Sequence, residues 1–206
     1  VAVAGECDGG EDEGITFDLG ISVGDDVSYN YLKSRFDAVC LAGGSREPRD
    51  LSIPGRKLKG IHFAMEYLVQ QNKLLAGEPV DKAERITAEG KTVVVIGGGD
   101  TGSDCLGTAL RQKAEKVYQF EIMAKLPVER PERTPWPMWP DVLKETSSHQ
   151  EGGDRRWCVS TKEFTGSNGR LEALHCVEVE WFKGQNGRME FKEKAGTEFE
   201  VEAQLV

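Results

Sequence analysis

The stretch Lys91–Gly102, KTVVVIGGGDTG, decides the fold that the surrounding chain is expected to adopt. It contains the all-apolar run Val93–Ile96, which is typical of a strand buried on both faces of a parallel sheet. Glycines then follow at the spacing G-x-G-x-x-G, and apolar residues recur at helical spacing in the segment 105–110. Strand, glycine loop and amphipathic helix therefore occur in the order that a dinucleotide-binding turn requires.

Each glycine of this pattern has a separate physical role. The first allows the tight turn, the second lets the backbone approach a pyrophosphate, and the third lets the helix pack close to the strand. The N-terminus of the following helix directs free N–H groups and positive charge at the phosphates. The alternative is a plain strand-to-helix turn with ordinary capping residues. We predict a dinucleotide site made of Gly97, Gly98, Gly99, Asp100, Thr101 and Gly102.

Composition narrows the class of protein. The chain has 206 residues, of which 38% are hydrophobic and 30% charged, as expected for a soluble globular protein. It shows no signal-peptide pattern and no apolar run of the ~20 residues that a membrane span needs. Five cysteines lie far apart without a C-x-x-C pair, so we expect neither a disulfide framework nor a metal site, and we expect a cytoplasmic protein. Cys105 is expected to be a small buried apolar residue.

Charge is distributed unevenly along the chain. The formal net charge is −9, and residues 1–32 contain eight acidic residues and no lysine or arginine. The remaining chain is nearly neutral and builds no basic face, so a nucleic acid is not expected as a partner. The acidic start, residues 1–14, is expected to be disordered.

The periodicity of apolar residues predicts an α/β fold. A Rossmann-like domain is expected, with a parallel sheet followed by an antiparallel β-meander. Helices are predicted over 29–35 and 61–75, the latter with Ile61, Ala64, Met65, Leu68 and Leu75 on one face. Strands are predicted over 15–27, 36–42, 93–96, 116–122, 157–165, 171–182 and 188–191, with a further alternating run from Phe199.

The segment Pro127–Pro140 holds five of the eight prolines, with Trp136 and Trp139 among them. Such a segment cannot form a helix interior or a central strand. Two interpretations remain: a rigid packed surface loop, or a lid near the nucleotide.

Four longer segments carry a resemblance to a known family. They are GRKLKGIHFAMEYLVQQNKLLAG (55–77), VVVIGGGDTGSDCLGTALRQ (93–112), QFEIMAKLPVERPERTPWPMWP (119–140) and SSHQEGGDRRW (147–157). In this order they resemble the small (beta) subunit of glutamate synthase, a flavoprotein that oxidises a pyridine nucleotide. The resemblance extends from about Gly14 to Val206.

The resemblance implies an NAD(P)H-binding domain inserted into an FAD-binding domain. Residues 15–54 would then supply partial strands of the interrupted FAD domain and its border, 55–198 the NAD(P)H domain, and 199–206 the start of the return to the FAD domain. Ala42, Gly43 and Gly44 would lie at the FAD-side border, where Gly43 replaces a threonine of the family pattern. The first FAD-binding glycine loop and the cysteine-rich segment for [4Fe-4S] clusters are expected outside this chain.

The function implied by the resemblance is oxidation of NADPH or NADH. Electrons would pass through FAD and iron–sulfur clusters to the large (alpha) subunit, which makes glutamate from glutamine and 2-oxoglutarate. The cofactors carry this chemistry, so no catalytic residue is assigned, and the chain alone is not expected to be catalytically competent. The alternatives are a non-catalytic dinucleotide-binding module and a related nested flavoprotein reductase of the pyrimidine-reducing type.

One residue at the end of the second predicted strand and three beyond it bear on the choice of nucleotide. Glu121 follows the first glycine of the loop, Gly97, by 24 positions. An acid about 20 residues after this glycine accepts hydrogen bonds from the adenosine ribose, which favours NADH. Lys125, Arg130 and Arg133 could instead neutralise the 2′-phosphate of NADPH, or be ordinary surface charges. His149 could face the nicotinamide, or be an ordinary loop histidine.

Overall fold

The computed structural model describes residues 14–44 and 47–206. The chain divides into two compact units, residues 1–49 and residues 50–206. The disorder expected at the acidic start concerns residues that lie, except for Gly14, outside the described part. No helix in the described residues is long and apolar enough to cross a membrane.

The first unit contains one helix, α1 (Tyr29–Arg35), within its described residues. The predicted bounds of this helix are confirmed, and the Ser28 hydroxyl caps it by accepting from the Tyr31 N–H at 3.1 Å. Within residues 14–44, the strands predicted over 15–27 and 36–42 are not formed: the first segment contains one isolated bridge, and the second is irregular and largely exposed. A strand needs a hydrogen-bonded neighbour, and none of the described residues pairs with 36–42.

The second unit contains the remaining elements. Its helices are α2 (Ala64–Leu75), α3 (Asp100–Arg111) and α4 (Ser147–Gln150). Its strands are β1 (Thr92–Ile96), β2 (Lys116–Glu121), β3 (Asp154–Trp157), β4 (Val159–Ser167), β5 (Arg170–Lys183), β6 (Met189–Glu193) and β7 (Phe199–Glu202).

Strands β1, β2 and β3 form a parallel sheet in that order. The parallel pairing of β1 with β2, which α3 connects, confirms the predicted parallel sheet. The other edge of β1 is covered by the end of the chain, where the Val94 N–H donates to the Leu205 carbonyl at 2.9 Å. The strand predicted over 157–165 corresponds to β4, which begins two residues later than predicted. Strand β3 was not predicted and shares only Trp157 with that segment; Cys158, with a φ of 58°, separates it from β4.

The antiparallel sheet is organised around β5, the longest strand. It pairs with β4, β6 and β7, and the turn between β4 and β5 carries positive φ angles at Asn168 and Gly169, as expected for a tight hairpin. Val177 and Val179 are buried while Glu178 and Glu180 are exposed, so one face of β5 packs in the core and the other faces solvent.

The parallel sheet is packed on both faces. On one face Val93 and Val117 contact Leu106 and Ala109 of α3. On the other, Val94 and Phe120 join the apolar side chains of β4, β5 and β7. Burial on both sides explains why β1 is an unbroken apolar run, and it fixes the loop between β1 and α3 on a rigid base.

Helix α2 begins at Ala64, three residues later than predicted, and its buried face only partly overlaps the predicted one: Ala64 and Leu68 are partly buried as expected. Tyr67 is its buried residue, whereas Met65 and Leu75 are exposed. Polar side chains share the inner face: Gln70 bonds to Ile86 in both directions at 2.8 Å, and Gln71 accepts from Gln112 at 2.7 Å. Because these half-buried amides have hydrogen-bond partners, they can take inward positions that hydrophobic periodicity assigns to apolar residues.

Candidate nucleotide-binding site

The glycine loop leaves β1 through a turn that only glycine adopts readily. Gly97 has a φ of 126°. Its N–H donates to the Phe120 carbonyl at 2.8 Å, and its carbonyl accepts from the Gln119 side-chain amide at 2.9 Å. Both bonds fasten the first residue of the loop to β2.

The other glycines of the loop meet different surroundings. A Cβ added at Gly102 would lie 2.4 Å from the Gly97 carbonyl oxygen, so α3 approaches the turn too closely for any side chain. A Cβ at Gly99 would meet nothing within 4 Å, and one at Gly98 would lie 2.0 Å from a Glu121 carboxylate oxygen. The tight packing at Gly102 matches the role of the third glycine of G-x-G-x-x-G, which lets the helix approach the strand. The open space at Gly99 matches the role of the second, which lets the backbone approach a pyrophosphate.

The N-terminus of α3 is open to solvent. The helix begins at Asp100 with Gly99 as its N-cap, and no side chain caps it. Gly99, Asp100 and Thr101 are exposed. Since the first N–H groups of a helix have no acceptor within it, this end can receive an anion, and the side chains of the described residues do not plug it.

Glu121 ends β2 and lies over the loop at Gly98. Burial raises the pKa of Glu121, while the Arg155 guanidinium and a hydrogen bond from Trp157 act in the opposite direction. The carboxylate therefore has a donor and a cation beside it and remains partly accessible, as a group that accepts a ligand hydroxyl must be.

A cleft of about 160 Å³ extends from the glycine loop along the ends of β2 and β3. Trp139 and Pro140 line it together with Gly98 and Glu121, so the proline-rich segment does reach the loop. This placement favours the lid interpretation over the packed surface loop. The other lining residues are Leu126, Asp141, Val142, Leu143, Lys144, Arg155 and Trp157.

The predicted phosphate-binding cations are placed differently from one another. The Lys125 ammonium lies 4.6 Å from the centre of the Trp157 ring, at the side of the cleft. Arg130 donates to the Thr134 and Met138 carbonyls at 3.1 Å each, and Arg133 forms an ion pair with Asp141 at 3.1 Å. Both arginines are thus engaged by residues of the proline-rich segment or by Asp141, which follows it directly.

Arg155 is a cleft residue that the sequence did not reveal. Its guanidinium lies 5.0 Å from the centre of the Trp157 ring and donates to the Lys144 carbonyl at 3.4 Å. It belongs to β3, whose sequence DRRW shows neither alternation nor an apolar run. The predicted parallel sheet is the signal that could have located Arg155. A third parallel strand next to β2 would end at the same edge of the sheet as β2, beside the glycine loop.

His149 lies beneath the glycine loop and bonds to the side chain that fastens Gly97. Its Nε2 is 3.0 Å from the Gln119 side-chain oxygen, and its Nδ1 accepts from the Thr146 N–H at 3.1 Å. Burial and, to a smaller extent, Arg155 lower the pKa of His149, against the opposite effect of Glu145.

The remaining residues that the sequence analysis named, Cys105 and the segment 42–44, lie away from the glycine loop. Cys105 is buried beside an apolar cavity of about 110 Å³ between α2 and β1, and burial raises its pKa to about 12, as expected of a structural thiol. Ala42, Gly43 and Gly44 are exposed in the first unit. Among the described residues, no group of three or more His, Cys, Asp or Glu side chains could hold a metal.

The predicted resemblance is confirmed by comparison with known proteins. The family model described as pyridine nucleotide-disulphide oxidoreductase matches residues 11–145. The chain is 47% identical to the glutamate synthase [NADPH] small chain of Mycobacterium tuberculosis over 94% of its length, and 42% identical to that of Bacillus subtilis. It is 43% identical, over 79% of its length, to glutamate synthase [NADH] of Saccharomyces cerevisiae.

These relatives are longer proteins. The chain spans 39% of the Mycobacterium tuberculosis relative, 41% of the Bacillus subtilis relative and 8% of the Saccharomyces cerevisiae relative. Among solved structures it resembles Mycobacterium tuberculosis FprA in complex with NADPH, with a TM-score of 0.53 at 20% identity over 90% of this chain and 52% of that one. At this identity the likeness concerns the fold, and it confirms the predicted fold class.

Proposed function

Because the chain belongs to the pyridine nucleotide-disulphide oxidoreductase family, we propose that its second unit binds NADPH or NADH. The pyrophosphate lies against the backbone of the loop Gly97–Gly102, at the open end of α3. The observation that carries this proposal is the bare space at Gly99 beside uncapped helix N–H groups. Backbone donors and the helix dipole then act together on the anion.

The adenosine half of the nucleotide enters the cleft beyond Gly98. The Glu121 carboxylate accepts hydrogen bonds from the ribose, and the aromatic faces of Trp139 and Trp157 are available to the adenine. Arg155 and Lys125 are the cations placed to meet a 2′-phosphate. Both nucleotides remain candidates, because the cleft offers an acid for a hydroxyl and cations for a phosphate, and the names of the relatives include both.

The longer reaction follows from the relatives and is part of the same proposal. NAD(P)H supplies a hydride, and FAD and iron–sulfur clusters would carry its electrons to the large subunit of glutamate synthase, where glutamate is formed from glutamine and 2-oxoglutarate. This chain's residues bind and orient the nucleotide, and the bound cofactors supply the redox chemistry. Ala42, Gly43 and Gly44 are proposed for the FAD side.

Calorimetric titration of the purified chain with NADPH and with NADH tests nucleotide binding. We expect binding of at least one nucleotide by wild type and a loss of affinity in Gly99→Val. Absence of heat with either nucleotide at millimolar concentration would contradict the proposal. The longer reaction is tested by mixing the complete small subunit with its large subunit: NAD(P)H oxidation should require both glutamine and 2-oxoglutarate.

A further inference from the structure

A chain of side-chain hydrogen bonds connects the short helix α4 to the glycine loop. The Thr146 N–H donates to His149 Nδ1 at 3.1 Å, and His149 Nε2 lies 3.0 Å from the Gln119 side-chain oxygen. The Gln119 amide then donates to the Gly97 carbonyl at 2.9 Å. Gln119, at the centre of these bonds, is only 2% exposed, and Thr146, His149 and Gly97 are partly buried.

Helix α4 is itself held firmly against α3. The Thr146 hydroxyl contacts the Ser103 hydroxyl in the first turns of α3. A Cβ added at Gly107 would lie 2.6 Å from the Ser148 hydroxyl oxygen, so the two helices touch through a glycine. The packing of α4 against α3 therefore fixes the position of His149, and the side chain of Gln119 connects His149 to the loop.

We propose that His149 is a positioning residue for the nucleotide, which acts in its neutral form by holding Gln119 and, through it, the turn at Gly97. This inference rests on the proposed function, because the loop that it positions is the proposed pyrophosphate site. His149 does not face the nicotinamide in this assignment, since both of its ring nitrogens are used beneath the loop.

The geometry selects one tautomer of His149. A backbone N–H points at Nδ1, so Nδ1 must be the acceptor and Nε2 must carry the proton. The Nε2–H then donates to the Gln119 oxygen, which turns the Gln119 NH₂ group towards the Gly97 carbonyl. Protonation of Nδ1 would place two donors, the Nδ1–H and the Thr146 N–H, against each other. The hydrogen bond between Thr146 and His149 would then be lost.

The charges around His149 favour the neutral ring on balance. Arg155 of β3 opposes a second positive charge, whereas Glu145, which precedes α4, favours one. Arg111 of α3 is neutralised by Glu151 at the end of α4. Burial acts with Arg155, so the pKa of His149 is lowered and its neutral form persists through neutral pH.

The test measures the affinity of the full chain for ADP-ribose between about pH 5 and pH 8, the range in which histidine titrates. ADP-ribose contains the pyrophosphate and the adenosine but no 2′-phosphate, so the probe itself does not titrate in this range. We expect wild-type affinity to be constant at the upper end and to fall, by up to about tenfold per pH unit, below the pKa of His149.

Substitution of His149 separates this role from general packing. In His149→Gln the amide NH₂ can occupy the place of Nε2–H, but the side chain does not titrate. We expect affinity within about threefold of wild type at the upper end of the range and a much weaker dependence on pH. His175→Gln is the control, because His175 lies on β5 and bonds to Thr165 instead. The pH profile of this control should match that of wild type. Glu121 titrates in both proteins, so it does not distinguish their profiles.

A second pair of variants tests the link through Gln119. Gln119→Glu can still accept from His149 but cannot donate to the Gly97 carbonyl, so affinity should fall by at least about tenfold. Gln112→Glu makes the same change in another amide that accepts from Tyr67 and donates to Gln71, at the opposite end of α3. It should lower the melting temperature without lowering affinity.

The outcomes separate the two proposals. Failure of wild type to bind ADP-ribose at any pH would overturn the proposed nucleotide site and this inference with it. Binding by wild type together with an unchanged pH profile in His149→Gln, or equal affinity in Gln119→Glu and Gln112→Glu, would overturn the inference alone. A flattened profile in His149→Gln with a normal profile in His175→Gln would support it.

Discussion

Replacement of Gly99 separates nucleotide binding from folding more cleanly than any other change in the loop. The backbone at Gly99 has a φ of −78° and a ψ of −178°, which every L-residue adopts. A Cβ there meets nothing within 4 Å, so a valine fits the unliganded protein. Valine is a poorer N-cap than glycine, by up to about 1 kcal/mol.

Gly99→Val is expected to change the stability of the protein only slightly and its affinity for the nucleotide greatly. A loss of about 1 kcal/mol lowers the melting temperature of a chain of this size by roughly 2–4 °C. For binding, a side chain at Gly99 displaces the pyrophosphate from the helix N-terminus and removes at least two hydrogen bonds to a charged group. At about 1.5–3 kcal/mol each, their loss corresponds to a more than about 100-fold weaker affinity.

The assay is calorimetric titration of wild type, Gly99→Ala and Gly99→Val with the nucleotide, combined with thermal unfolding of each protein. Affinity should fall from glycine to alanine to valine, while the melting temperature changes by only a few degrees. A valine variant that retains wild-type affinity would refute the placement of the pyrophosphate, whatever its stability.

Three further predictions follow from the same geometry. Gly102→Ala places a methyl group 2.4 Å from the Gly97 carbonyl oxygen, so it should lower the free energy of unfolding by about 1–3 kcal/mol; an unchanged denaturation midpoint would contradict this packing. The raised pKa of Glu121 means that its contribution to stability is present below its ordinary value of 4.5 and is lost as pH rises through the folded value. Glu121→Gln should therefore raise the melting temperature at neutral pH but not in acid, and should shift nucleotide preference towards NADPH, which competitive titration would measure. Because burial raises the pKa of Cys105 to about 12, only about one thiol in 10⁴ is ionised near pH 8; it should resist a disulfide reagent in the folded protein, whereas exposed Cys40 should react at once.

Local patterns with a strong physical cause predicted the structure well. The apolar run of β1, the glycine spacing and the alternation along β5 each follow from burial or close approach of the backbone, and each is present. The glycine loop was therefore placed correctly between a parallel strand and a helix, and the burial of Cys105 was also confirmed.

Features that depend on long-range contacts were not visible in the sequence. The inner face of α2 includes the half-buried Gln70 and Gln71, whose amides are satisfied by residues distant in sequence. Arg155 reaches the cleft only because a short charged segment forms β3 beside β2. The run 36–42 has the composition of a buried strand, but composition does not supply the neighbour that a strand requires.

The position of His149 shows the same limit at the site. A single histidine in a loop gave no indication of its partners, because Gln119 and Gly97 precede it by many residues. Only the parallel packing of β1, β2 and β3, with α4 against α3, brings these groups together. Sequence reasoning identified the glycine loop as the candidate site, and the structure identified the hydrogen bonds that connect this loop to Gln119 and His149.

The most direct test of the nucleotide site is a backbone amide NMR titration of the chain with NADH. If the pyrophosphate binds at the open end of α3, the largest shifts should fall on the amides of residues 98–102 and on the indole N–H of Trp157. Shifts confined to the apolar cavity around Tyr67, or spread evenly over the protein, would contradict the account.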